Sequence, residues 1–148
     1  MEMDIIIKKY NELTLDELYD ILKLRSEVFV VEQNCVYQDI DDLDKISYHI
    51  FMRKNNEIKV YLRIFEKDKE TAQIGRVVTK EDERRKGYAF ILMKKGIELI
   101  KNEMKKNKIY LEGQVYCHQL YLKLGFKIIS DEFLEDGIPH YKMLMTLD

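Results

Sequence analysis

Arg84-Arg85-Lys86-Gly87-Tyr88-Ala89-Phe90 is the stretch on which the reading of this 148-residue chain turns. It lies between two segments of different period. Upstream, residues 71–79 read as a strand. Downstream, Phe90, Met93, Ile97, Ile100 and Met104 recur at helical spacing, which predicts a long helix over about 87–104. A loop that leaves a strand and opens a helix presents unpaired backbone N–H groups at the positive end of the helix dipole. A diphosphate can dock at such an end. Gly87 and Ala89 allow close approach to the backbone, while Arg84, Arg85 and Lys86 add positive charge. The Gly-Lys-Ser/Thr ending of a Walker loop is missing. A solvated basic loop that caps a helix fits the same residues, so the surroundings have to decide.

Working outward, Ile5-Ile6-Ile7 reads as a first strand. Thr14 and Glu17 form a capping-box pattern ahead of a helix carrying Leu15, Leu18, Ile21 and Leu22, with a second helical piece over 25–31. Residues 32–45 are polar and acidic and read as an irregular surface loop. A strand over 48–53, a turn at Asn55-Asn56 and alternation at Ile58, Val60, Leu62 and Ile64 follow. The alternating strand and the 71–79 strand form an antiparallel pair across a polar turn. Later come a strand over 108–111 and a short helix over 117–124 stopped at Gly125. A final strand pair, 126–129 and 140–147, has Asp136-Gly137 in its connection. The order β, α, α, β, β, β, α, β, α, β, β is an α+β layout around a central mixed sheet.

Composition bounds the rest. The length fits one domain spanning 1–148. Hydrophobic residues make up 46% and charged residues 35%, which excludes a disordered chain. Net charge is −2 with dispersed basic residues, so no nucleic-acid partner is expected. No apolar run is long enough to span a membrane. Cys35 and Cys117 lie far apart without metal spacing, and the chain shows no apolar N-terminal signal. The expectation is a cytoplasmic protein with reduced thiols and no metal. The run Asp39-Ile40-Asp41-Asp42-Leu43-Asp44 fails the EF-hand pattern, with Asp44 in the glycine position and Ile50 in the glutamate position. It reads either as a solvated loop or as an acidic wall that attracts a cationic acceptor.

A second motif lies beyond the strand at 108–111. In Leu120-Tyr121-Leu122-Lys123-Leu124-Gly125-Phe126, Tyr121 sits on a short helix after a strand end. A phenol there can donate a proton to a leaving group, although a core tyrosine with its hydroxyl at the surface is the plainer reading of the motif alone. Together, in this order and spacing, the two motifs resemble the GNAT family of N-acetyltransferases. Val28-Phe29-Val30-Val31-Glu32-Gln33-Asn34-Cys35, Tyr37-Gln38-Asp39, His49, Gly75-Arg76-Val77-Val78 and Glu135-Asp136-Gly137-Ile138-Pro139-His140 are similar to its ElaA-like branch. The likeness runs over about 24–143.

The resemblance implies a mixed, mostly antiparallel sheet flanked by helices on both faces. It implies an acetyl-CoA-dependent N-acetyltransferase acting on a small-molecule or peptide amine by direct attack. Val77, Val78 and Thr79 would line the pantetheine. Arg84, Arg85, Lys86, Gly87, Tyr88, Ala89 and Phe90 would hold the pyrophosphate. Gln114 falls near the cofactor, and Tyr121 aligns with the general acid. Ala89 replaces the family's second glycine, and Arg85 stands where many members have glycine. Glu32 is the first candidate base, on the expectation of a raised pKa. Pairing with an arginine such as Arg25 is its plainer role. His49 and His140 are alternative bases or acceptor-site groups. The last strands imply a homodimer as one arrangement. A coenzyme A-binding regulatory module without catalysis is the competing reading.

Overall fold

An eight-stranded sheet organises the computed structural model, which describes residues 3–148. Its strands are β1 (Asp4–Lys9), β2 (Tyr48–Lys54), β3 (Glu57–Glu66), β4 (Thr71–Thr79), β5 (Lys108–Gln114), β6 (Lys127–Ile128), β7 (Phe133–Glu135) and β8 (Ile138–Thr146). The order is β1-β2-β3-β4-β5-β8-β6, with β7 also paired to β8. Every pairing is antiparallel except β4 with β5. The helices are α1 (Leu15–Arg25), α2 (Tyr88–Leu99) and α3 (His118–Leu124).

Local chemistry explains the elements. Thr14 caps α1 by accepting from the Glu17 amide at 3.0 Å, and Glu17 accepts in return from the Thr14 amide at 2.9 Å. Asn55 and Asn56 turn β2 into β3 with φ of 53° and 61°, left-handed values that Asn tolerates. Asp136 and Gly137 make the same kind of turn between β7 and β8. α1 and α2 each run on into π-helical segments, Ser26–Glu32 and Ile100–Met104.

Alternation along the strands divides the core between the two faces. Val60, Leu62, Ile64, Ala72, Ile74, Ile109 and Leu111 pack against Leu92 and Met93 of α2 and Tyr121 of α3. Phe51, Tyr61 and Val78 pack on the other face against Ile21, Leu24, Val28 and Phe29. The expected layering, helices on both sides of a mixed sheet, is therefore present.

One irregularity decides where a ligand can enter. Tyr61 pairs with Val78 and Arg63 with Gly75, so Arg76 and Val77 stand opposite Leu62 alone. This is a β-bulge, with Arg76 at φ 54°. The β4–β5 ladder covers only Thr71 to Gln73 against Lys108 to Tyr110. Beyond it the two parallel strands separate, and their facing edges lie open down to Thr79 and Gln114.

The acidic run is not a solvated loop. Asp39 and Asp44 are buried. Arg25 donates to Asp39 at 3.0 Å and to Asp44 at 2.7 Å. Arg63 donates to both oxygens of Asp41 at 2.7 Å, and Arg76 to Asp39 at 2.8 Å and Asp41 at 3.2 Å. Three guanidinium groups thus neutralise three carboxylates. The idea of an acidic wall awaiting a cationic acceptor is corrected: the run pins the β4 bulge through Arg76.

Candidate functional site

The edges of the opening between β4 and β5 carry part of the residues that the sequence singled out. Val77 is half-buried against the α2-side core, whereas Val78 is buried on the α1 side. Arg84 folds back so that its Nε donates to the Thr79 carbonyl at 3.0 Å. At the base of the opening, Gly87 is the N-cap of α2 in the left-handed region, φ 81°, and no side chain caps the helix. The Ile91 amide is already bonded to the Gly87 carbonyl at 3.2 Å. The earlier amides of the turn, through Phe90, have no intrahelical acceptor and are available to an anion.

The loop is less positive than its sequence. Arg84 forms a bidentate pair with Glu32, at 2.5 and 2.8 Å. Lys86 donates to Glu83 at 3.0 Å. Among the described residues, Arg85 alone of the three has no ion-pair partner. An anion at this helix start would meet backbone amides and Arg85 rather than a triple charge.

Tyr121 projects from α3 toward β5 and is 6% exposed. A Cβ on Gly113 would meet its ring at 2.7 Å, so the absence of a side chain at Gly113 is what seats it. Phe126 packs edge-on to the same ring. Burial, with the nearby Cys117, pushes the Tyr121 phenol above its ordinary value. It therefore stays protonated until a stronger base forms beside it.

The other candidates are distributed differently. Glu32 is exposed, and the Arg84 bond holds its carboxyl below the ordinary range, opposite to the expected raise. Its partner is Arg84, not Arg25. His49 is fully buried, with Nδ1 2.6 Å from the Tyr61 hydroxyl and Nε2 2.8 Å from the Asp44 carbonyl. Both ring nitrogens are occupied, so it braces the arginine–aspartate layer and faces no acceptor. Burial pushes its pKa down. Gln114 ends β5 and pairs with Gln33 at 3.3 Å, tying the end of the α1 extension to the sheet. His118 is bonded through Nδ1 to the Val115 carbonyl at 2.6 Å. Among the described residues no cluster suits a metal ion.

His140 sits on β8 opposite Gln114, the last residue of β5. The sequence reading missed its companions. Tyr110 donates to Glu112 at 2.7 Å, and the Glu135 carboxyl lies close beside that of Glu112. The missed signal was the spacing Tyr110, Glu112, Gln114, which alternation puts on one face of β5.

The whole arrangement has relatives. Residues 9–147 match the profile of the acetyltransferase (GNAT) domain. The chain belongs to the GNAT acetyltransferase family. It is 42% identical to a UPF0039 protein of Schizosaccharomyces pombe over 98% of both chains. It is 40% identical to Protein ElaA of Escherichia coli over 90% of both. The crystal structure of Escherichia coli ElaA superposes with a TM-score of 0.91 at 36% identity, covering 97% of this chain and 99% of that one. An acyl-CoA N-acyltransferase from Pseudomonas aeruginosa does so with a TM-score of 0.90 at 34% identity, over 97% and 99%. This family member is thus an acyltransferase of the ElaA-like branch, with the sheet and helices of that fold. Among the described residues, no helix is long and apolar enough to cross a membrane.

Proposed function

We propose that this GNAT protein is a cytoplasmic, acetyl-CoA-dependent N-acetyltransferase that transfers acetyl to a primary amine by direct attack. One observation carries the reading. The protonated Tyr121 phenol and the uncapped start of α2 both border the opening where β4 parts from β5. Such a site fits an elongated thioester whose diphosphate lies on the helix N-terminus and whose acyl end reaches the strands. A TM-score of 0.67 relates the chain to a Bacillus subtilis acetyltransferase solved in complex with CoA, at 21% identity, a likeness of fold.

Acetyl-CoA brings the activated acyl group; the chain orients it and moves protons. The α2 amides and Arg85 hold the diphosphate. The strand amides of β4 beyond the bulge, unpaired toward β5, donate to the thioester oxygen as negative charge develops on it. Tyr121 hands its proton to the departing thiolate. Glu32, bound to Arg84 and held acidic, serves better as the strut that fixes the Arg84 loop than as the base.

The test is release of free thiol from acetyl-CoA against polyamines, amino acids and peptide N-termini. Turnover with at least one amine supports the reading. Binding of acetyl-CoA without turnover of any favours the regulatory module. Tyr121→Phe is expected to lower kcat by ~100-fold while the dissociation constant of acetyl-CoA stays within about twofold, since it removes an acid and no binding contact. Equal losses in both would assign Tyr121 to binding.

A further inference from the structure

β5 divides its side chains between two faces, and 112–114 place different chemistry on each. Gly113 faces the Tyr121 ring. Glu112 and Gln114 face the α1 side. There, Glu112 accepts from Tyr110 at 2.7 Å. The carboxyl groups of Glu112 and Glu135 lie close enough to share a hydrogen bond when one of them is protonated. Glu112 pairs with Lys142 and Glu135 with Ile138, positions of the same parity along β8, so both side chains stand on one face of the sheet. Asp136 of the turn, Lys142 of β8 and Arg76 of the bulge are the other charged groups facing the pair.

His140 supplies an independent observation. Its side chain is 9% exposed, and Nδ1 donates to the Ile138 carbonyl at 2.7 Å. Nε2 then points toward Glu135 at 3.6 Å, beyond hydrogen-bond length but within ion-pair distance for a protonated ring, and has no hydrogen-bond partner among the described residues. The contrast with the aspartate layer is informative. There each carboxylate has its own guanidinium, and Arg76 is engaged by Asp39 and Asp41. Here two carboxyl groups face each other with no guanidinium or ammonium group of the described residues bonded to either, and Glu135 keeps 45% of its side chain exposed. An incoming ammonium group would supply the missing charge.

We propose that the Glu112–Glu135 pair, backed by His140, is the acceptor side of the catalytic site, receiving a primary alkyl amine as its ammonium ion and taking its proton before attack. This rests on the N-acetyltransferase reading. The balance is complete. The ammonium loses one proton to the pair, which passes it to solvent. The amine lone pair forms the C–N bond, the C–S bond breaks, and the thiolate takes the Tyr121 proton. The second proton lost from nitrogen restores the phenol. Burial, the Glu112 hydrogen bond and the Glu112 charge push Glu135 up to about 7, so the pair changes state in the neutral range. The Glu135 bond, Tyr110 and Lys142 hold Glu112 low although burial works against them.

The experiment compares wild type with the isosteric variants Glu112→Gln and Glu135→Gln, using spermidine, lysine and a peptide N-terminus as acceptors and CoA binding by calorimetry as control. For an amine that turns over, kcat/KM is expected to rise with pH through a midpoint near 7, the value set by Glu135. Glu135→Gln is expected to lose that limb and at least ~10-fold in kcat/KM, with CoA affinity unchanged. Carbon-13 NMR of labelled glutamate carboxyls, independent of turnover, is expected to show one group titrating near 7 that is missing in Glu135→Gln. Wild-type rates and pH profiles in both variants overturn the proposal alone, as does the absence of any glutamate titrating above the ordinary carboxylate range. Intact CoA binding without turnover of any amine removes the N-acetyltransferase reading itself, and the proposal with it.

Discussion

Single side chains at this site act through the atoms that surround them. Tyr121 depends on Gly113, because any Cβ there collides with its ring at 2.7 and 2.9 Å. Gly113→Ala is expected to displace the phenol and cost about 1–3 kcal/mol of stability by overpacking. Thermal unfolding and kcat should fall together, with CoA affinity nearly kept. His49 gives a pH signature. Its folded pKa is depressed by burial below 6.5, so the unfolded chain binds the proton more readily. The stability from neutral His49 is present above pH 6.5 and is lost as pH falls through the folded pKa. Urea midpoints should therefore drop from neutral toward pH 5, and His49→Asn should flatten that drop. An unchanged slope in the variant would remove His49 as its cause.

Elements set the positions of these residues. Gly87 starts α2 at φ 81°, and a Cβ there meets nothing within 4 Å. A larger residue strains only the backbone, by about 1–2 kcal/mol. Gly87→Trp is expected to abolish CoA binding, measured by calorimetry, while circular dichroism and cooperative unfolding persist. Retained binding would show that the diphosphate lies elsewhere. The β4 bulge was not legible in the sequence. Gly75-Arg76-Val77-Val78 alternates poorly, yet only the pairing with β3 shows which residue is extra. β7 escaped for a related reason: three residues carry too little periodicity to be told from a loop.

The whole molecule is held by a charge layer as much as by its apolar cores. Arg25 is fully buried between Asp39 and Asp44, and it links α1 to the loop that grips the bulge. Arg25→Met leaves two buried carboxylates short of a partner. Removing one member of such a pair costs about 3–5 kcal/mol. Chemical denaturation should register a loss of that size. Because Asp39 also holds Arg76, the variant should weaken CoA binding from a distance. A stability change below about 1 kcal/mol would mean that the layer is hydrated and contributes little.

The sequence by itself determined the elements whose signals are local. Capping at Thr14, alternation in β3, the helical stripe of α2 and the turns at Asn55-Asn56 and Asp136-Gly137 all follow from neighbouring residues. The uncapped start of α2 and the place of Tyr121 on α3 were legible too, since both motifs lie at element ends. Tertiary structure alone decided the rest, because charges choose partners through space. It matched the acidic run to Arg25, Arg63 and Arg76, turned Glu32 from a candidate base into the partner of Arg84, and enclosed His49. It also brought Glu112 and Glu135 together across β8, a meeting of residues 23 positions apart that no local pattern encodes.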